Sequence, residues 1–374
     1  ADVAGCGASD VVQVANGGYD EEIINTLPGG TSAADAFLLK STNARGATIR
    51  GLSTSDQVIH AGTAISAYST VEGFILDGVN MSNANGGHDI VKITQGANHV
   101  TITNNEIKNA PWQCVLITNG TGFPNGGQAN TISLNDIHDC GLYTTGCAAA
   151  GDALCHGIYA ATTNNTLNIN EVYSIPDGYG IHVYRTTTGI TGNIVSRNLV
   201  HNVVRKAGIL ISSGSSHVAK NNIVYEVAGS GAIEAKGTCT GCSVVDNTTV
   251  YSSGRGVYCN SADNLVVKNN ISWGNTGNAF SLPADCGTGA VFDQNMCNSA
   301  TYCDEVLTGV ETPEFVSVST DNYHIQNTSP AVDLGVTVTG VINDYDGNLR
   351  PQSTGGACSS SEGLPDIGAD EVCG

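Results

Sequence analysis

The stretches VAKNNIVYEV (218–227), VVDNTTVYSS (244–253) and VVKNNISWGN (266–275) share one plan: alternating apolar residues, an Asn, then another β-branched or apolar residue. Four more segments repeat it: VTITNNEIKNA (100–110), TISLNDIHDC (131–140), LNINEVYSI (167–175) and IVSRNLVHNV (194–203). The shared Asn falls at 105, 135, 170, 198, 222, 247 and 270. A second family follows each of these after a short turn: CVLITN, GIYAAT, GIHVYR, GILISS, AIEAKG, GVYCNS and AFSLPA. Matching positions recur every 23–28 residues, with longer steps around 119–130 and 140–156.

Short strands, an Asn at a fixed turn and a period in the low twenties describe a stacked solenoid. The best match is an all-β, single-domain right-handed parallel β-helix, in which each coil lies about 4.8 Å above the last. The Asn series then becomes a buried amide ladder at a bend. A leucine-rich repeat would need a consensus the chain lacks, and a β-sandwich would show hairpin turns. The pattern predicts an N-terminal cap and first coils over 1–59, a β-helix core over 60–285, and C-terminal coils with a closing tail over 286–374.

Composition narrows the setting. The chain has 374 residues, only 13% of them charged, and 47 glycines, which favours turns and backbone ladders over amphipathic helices. No apolar run approaches a membrane span, and the start ADVAGCGASD reads as a mature or trimmed N-terminus. Thirteen cysteines, several close together (Cys140/Cys147/Cys155, Cys239/Cys242, Cys297/Cys303, Cys358/Cys373), point to disulfides and an oxidising compartment, secreted or periplasmic. An odd count predicts at least one free thiol. The CTGC at 239–242 has no second CxxC or His pair to complete a zinc set. A net charge of −20 argues against nucleic acid. Yet eight of the 14 basic residues fall between 185 and 268, where only four acids stand, a local balance of +4.

Alternation along a strand separates inward from outward positions. Ile158, Ile181, Ile209, Ile233, Val257 and Phe280 share one inward place, and Ala160, Val183, Ile211, Ala235, Cys259 and Leu282 the next. One outward column then reads Tyr159, His182, Leu210, Glu234, Tyr258 and Ser281; the other reads Ala161, Tyr184, Ser212, Lys236, Asn260 and Pro283. His156, Tyr179, Arg205, Lys206 and Arg255 fall at the turns before these strands, and Arg185 ends one. Tyr258 is expected about 4.8 Å from Glu234, His182 about 10 Å away, and Lys236 about 6.5 Å along the strand. Exposed Glu/Lys pairs are usually solvated and nearly neutral in energy. Several coils converging in the basic window favour a groove instead, with Tyr rings for pyranose stacking and Tyr159, Tyr184, Arg185, Arg205, Lys206, Asn260, His156, Asp152 and Asp177 as substrate-binding candidates.

A positive groove suits an acidic polysaccharide. Its cleavage by β-elimination needs a cation to neutralise the uronate carboxylate, a base and an acid. The repeats resemble the broad family of secreted bacterial β-helix proteins, many of which process polysaccharides. SPAVDLG…NDYDGNLRP…PDIGADE resembles the tail that closes many such chains, where Asp344, Asp346 and Asn348 lack the bidentate Glu of a Ca²⁺ loop. The Glu/Lys…Arg arrangement resembles β-helix lyases of the alginate lyase and chondroitinase B kind. That resemblance implies Lys236 as base, Arg255 as charge-neutralising partner, and Glu234 as a group tuning Lys236 or holding Ca²⁺. His182 and Tyr258 complete the catalytic candidates. The Glu-to-Lys spacing is shorter than that family's, Arg255 is not followed by His, and Asn221 is the nearest candidate for its Asn. No metal set is evident; Ca²⁺ is the one candidate cofactor, and a monomer without nucleic acid or membrane partners is expected. A glycoside hydrolase would need two carboxyl groups, Glu234 with Asp152 or Asp177. A C5-epimerase would share the proton abstraction, and an adhesive β-solenoid would bind carbohydrate without turnover.

Overall fold

The structure, a computed structural model, describes residues 5–82, 88–120, 126–142, 155–186, 189–281, 283–298, 303–307, 312–350 and 363–372. Asp152, Leu282, Cys147, Cys358 and Cys373 lie outside them. The chain is built of short β-strands, with 3-10 turns as its helical content among the described residues. It divides into two compact units, residues 1–193 with 203–206, and residues 194–202 with 207–374.

Each unit is a parallel β-helix of three sheets. In the first unit, Val11–Val14, Phe37–Ser41, Ser69–Glu72, Thr101–Thr103, Thr131–Ser133 and Thr166–Asn168 stack in register as the first sheet. Gly17–Asp20, Ala47–Arg50, Phe74–Asp77, Glu106–Ala110, Asp136–Cys140 and Glu171–Tyr173 form the second. Ile23–Ile24, Gln57–Ala61, Asp89–Ile93, Val115–Ile117, Ile158–Ala160 and Ile181–Val183 form the third. The second unit repeats the plan. Its first sheet holds Ile194–Ser196, Val218–Lys220, Ser243–Val245, Val266–Lys268 and Val291–Asp293. Its second includes Ile223–Val227, Thr248–Val250, Ile271–Trp273, Met296–Cys297 and Glu305–Val306. Its third is Ile209–Ser215, Gly231–Thr240 and Arg255–Asn260.

The expected Asn series is the bend between the first and second sheets. Asn222 Oδ1 accepts both the backbone N–H and the side-chain Nδ2–H of Asn198, at 3.0 Å each, and Asn222 Nδ2 donates to Asn247 Oδ1 and to Val195 O. The ladder continues through Asn270 to Asn295, a rung the sequence pattern did not include. Asn105, Asn135 and Asn170 do the same in the first unit, where Asn130, Asn165 and Asn193 make a further ladder entering the first sheet. All are buried, so every amide atom needs a partner, and stacking Asn on Asn supplies it.

The residue before each rung turns the chain with a positive φ: Asn104, Leu134, Ile169, Arg197, Asn221, Asp246, Asn269 and Gln294. Only Gly, Asn and Asp enter that region cheaply, so Leu134 and the β-branched Ile169 are strained and held there by the ladder. Asn221 is therefore a turn residue and not a site Asn; its amide accepts from Arg350 Nη2 and donates to Asn343 O.

The inward columns are buried as the alternation predicted, with Ile158, Ile181, Ile209, Ile233, Val257 and Phe280 fully enclosed. The C-terminal segment covers the second unit's second sheet. Phe315, Tyr323, Ile325 and Ile367 pack on Ile223, Tyr225, Val250 and Ile271, and buried Arg350 bonds Glu371, Asp366 O and Gly368 O. Asp344 ties its own turn by accepting the Gly347 and Asn348 N–H groups, as a structural reading of the tail expects.

Disulfides join Cys239 to Cys242 and Cys297 to Cys303, matching their proximity in sequence. Cys140 instead bonds Cys114, and Cys259 bonds Cys286, because stacking places residues 26 and 27 apart on facing positions. Among the described residues Cys6 keeps a free thiol.

Two substitutions test the ladder. Asn222→Ala orphans the Asn198 amide donors and Val195 O in a buried site and should cost about 3 kcal/mol or more, seen as a lower denaturation midpoint. Leu134→Asn relieves a strained turn at a side chain 52% exposed and should raise the midpoint, by about 1 kcal/mol.

Candidate functional site

The outward positions of the third sheet hold the predicted residues, but they are less open than the alternation implied. Glu234, His182, Leu210, Ser281 and Ser212 are all buried, as are His156 and Asp177. The reason is the stacking itself: at about 4.8 Å between coils, each large outward side chain covers its neighbours. Two clusters result, one in each unit.

In the second unit, register sets Tyr258 opposite Glu234 and Asn260 opposite Lys236, as the alignment predicted. Lys236 Nζ lies 2.5 Å from Glu234 Oε2, and Glu234 Oε1 accepts the Gly231 N–H at 3.3 Å. A buried carboxylate needs this compensation. Arg255, opposite Gly231, sets its guanidinium 5.4 Å from the Tyr258 ring centroid, a cation–π contact. Its Nε–H is buried without an acceptor. Asn260 Nδ2 donates to the Tyr258 hydroxyl at 3.3 Å. Lys236, Arg255 and Tyr258 remain partly accessible.

The first unit carries an aromatic and imidazole cluster. The rings of Tyr159, Tyr179 and Tyr184 stack on His182 at centroid distances of 4.8, 4.6 and 5.3 Å. Tyr159 and Tyr184, expected as stacking surfaces for sugar, thus pack on an imidazole. Tyr179 N–H donates to His156 Nδ1 at 3.0 Å, which puts the His156 proton on Nε2, 2.8 Å from His182 Nδ1. Burial, then the nearby charge of Lys206, lowers the His156 pKa to about 3. Burial and the Tyr184 hydroxyl raise Tyr159 to about 12. Arg205 and Asp177, expected as independent contacts to substrate, are ion-paired with each other. Arg185 is half-buried at the end of the Ile181–Val183 strand. Of the carboxylates of the hydrolase alternative, Glu234 is paired with Lys236 and Asp177 with Arg205, while Asp152 lies outside the described residues.

Two earlier coils of the first unit extend the outward column to His60 and Lys92, through Leu116 to Tyr159 and His182. Asp89, buried, lies 3.6 Å from Lys92 Nζ; burial raises its pKa to about 7. His60 Nε2 is 3.0 Å from Thr94 Oγ1, and burial with Lys92 lowers its pKa to about 4. The signal was DIVKIT (89–94), which fits the second-family pattern one coil before CVLITN.

Residues 156–327 match the family model described as a right handed beta helix region. No curated protein sequence matches the chain. Among solved structures it is similar to pectate lyase Pel9A, with 14% identity and a TM-score of 0.62 over 98% of this chain and 89% of that one. It is similar to the alginate lyase from Paenibacillus sp. str. FPU-7 at 16% identity and a TM-score of 0.55, over 74% and 92%. The Azotobacter vinelandii mannuronan C-5 epimerase AlgE6 A-module is similar at 13% identity and a TM-score of 0.50, over 81% and 88%. At such identities the likeness establishes the fold, a right-handed parallel β-helix.

The neutral, buried His156 makes the fold acid-sensitive. Unfolded, the imidazole binds a proton near pH 6.5; folded, it does not until about pH 3. Its contribution is complete above pH 6.5 and is lost as pH falls, by about 1.4 kcal/mol per pH unit between roughly pH 6 and 4. The stability gap between the wild type and His156→Gln, measured by denaturant titration at pH 7, 6 and 5, should therefore narrow with acidity.

Proposed function

We propose that this chain is a polysaccharide-processing enzyme of an oxidising compartment that cleaves a uronate-containing polymer by β-elimination at the Lys236–Arg255–Tyr258 cluster. The observation that carries the reading is the buried Arg255 Nε–H without an acceptor, at the mouth of a cluster holding a second cation. A substrate carboxylate is the acceptor such a donor calls for. The β-helix shared with structures titled pectate lyase, alginate lyase and mannuronan epimerase supports the substrate class.

Arg255 would seat the uronate carboxylate and stabilise the negative charge that spreads onto it as the adjacent C–H ionises. Lys236 can take that proton only as the free amine, so its ion-pair partner Glu234 must first accept the ammonium proton; the electron pair left on the substrate then forms the ring double bond while the bond to the leaving oxygen breaks. The Tyr258 hydroxyl, one strand away, is the group placed to protonate that oxygen. Glu234 fits the tuning role, since its oxygens already serve Lys236 and the Gly231 N–H. It offers no oxygen-rich cage for Ca²⁺, which takes six to eight oxygen ligands.

Incubation with alginate, pectate, glycosaminoglycans and neutral glucans tests this directly. An ultraviolet absorbance from an unsaturated uronate is expected with one acidic polymer. Lys236→Ala and Arg255→Ala should each lower it roughly 10²-fold or more while the fold persists, because neither side chain is in the core. Reducing ends without absorbance would indicate hydrolysis instead. Solvent deuterium entering uncleaved polymer would indicate epimerisation, and retention on an affinity gel without product would indicate a binding protein.

A further inference from the structure

His324, Asp346 and Asp370 come from a strand, a turn and the closing tail of the second unit, and their ligand atoms all lie within 4.8 Å of one another. What distinguishes them from an ordinary acidic patch is the histidine's orientation. Asn322 Oδ1 accepts the His324 backbone N–H at 3.2 Å and faces His324 Nδ1 at 2.7 Å. An amide oxygen only accepts, so Nδ1 carries the imidazole proton. The other ring nitrogen, Nε2, is the one that faces Asp346 Oδ2, 3.2 Å away.

Asp370 is the buried member of the set. It is 5% exposed, and one of its oxygens, Oδ2, accepts the Ile325 N–H at 2.9 Å. Asp344, close by, is committed to its turn through Gly347, Asn348 and the Asn348 amide, and so shapes the loop that presents Asp346. Two carboxylates and an imidazole thus converge on one point.

We propose that His324, Asp346 and Asp370 bind a divalent transition ion of the zinc or manganese kind. The donor set decides the class: one imidazole nitrogen with two carboxylate oxygens suits Zn²⁺ or Mn²⁺, whereas Ca²⁺ and Mg²⁺ take oxygen alone. The Asn322 contact to Nδ1 is the outer hydrogen bond that commonly fixes a ligating histidine. Asp346, half-exposed, leaves an entry path and room for water as a further ligand. The ion would pin the Asn322–Ile325 strand to residues 344–348 and to the tail, a structural role separate from the polysaccharide site.

The test uses the full chain stripped with a chelator and titrated by calorimetry with ZnCl₂, MnCl₂ and CaCl₂ near pH 7.5, with thermal melts in parallel. Expected are one saturable equivalent of zinc or manganese, calcium at least tenfold weaker, and a melting point several degrees higher with metal. His324→Ala and the surface variant Asp346→Asn should each lose tenfold or more in affinity, and Asp346→Asn keeps the fold intact as control. No saturable uptake by the wild type, or uptake unchanged in both variants, would overturn the assignment. So would a His324 that simply titrates against Asp346 with metal leaving the melt unmoved.

Discussion

Each coil of this chain rests on the hydrogen bonds it makes with the coil beside it, and the Asn rungs are where that dependence is tightest. A buried amide has two donors and two acceptor lone pairs, and water is excluded from the bend. Only an identical amide one coil away meets that demand in the same geometry. The rung therefore fixes the turn, including the left-handed residue before it, and the turn fixes the register of the sheets on either side. That the arrangement tolerates Leu134 and Ile169 in left-handed conformation measures how strongly the ladder dictates the path.

The same spacing governs the candidate site. Side chains projecting from neighbouring strands of a sheet stand about 4.8 Å apart, close enough for ion pairs, stacking and mutual burial. The stacking of Tyr159 on His182 is a product of that geometry, while Glu234 with Lys236 and Asp89 with Lys92 pair along a single strand. Outward-facing is therefore not the same as solvated. A carboxylate 2% exposed holds its lysine by a charge that water screens poorly, which makes the pair unlike the nearly neutral surface pairs of most proteins. In the same cluster the Arg255 Nε–H is buried without an acceptor.

Much of this was legible one residue at a time. The seven Asn positions, the apolar inward columns, and the opposition of Tyr258 to Glu234 and of Asn260 to Lys236 all follow from a period near 24 and a strand alternation of two, and the Cys239–Cys242 bridge from closeness in sequence. The rung at Asn295 and the ladder through Asn130, Asn165 and Asn193 follow the same rule in segments whose flanking pattern is weaker. The coil carrying Asp89 and Lys92 was readable in principle from DIVKIT.

What the sequence by itself determined is the repeat: which residues face in, which face out, and how far apart they stand along the stack. That information is local and periodic, so one strand's worth of pattern suffices to read it. Tertiary structure alone decided which outward groups are covered and which partner each charge takes, as when Asp177 closes on Arg205 and Cys140 on Cys114. It alone brought His324, Asp346 and Asp370 together. Burial and pairing depend on side chains that converge from separate coils and from a tail outside the repeat, and no periodicity encodes that convergence.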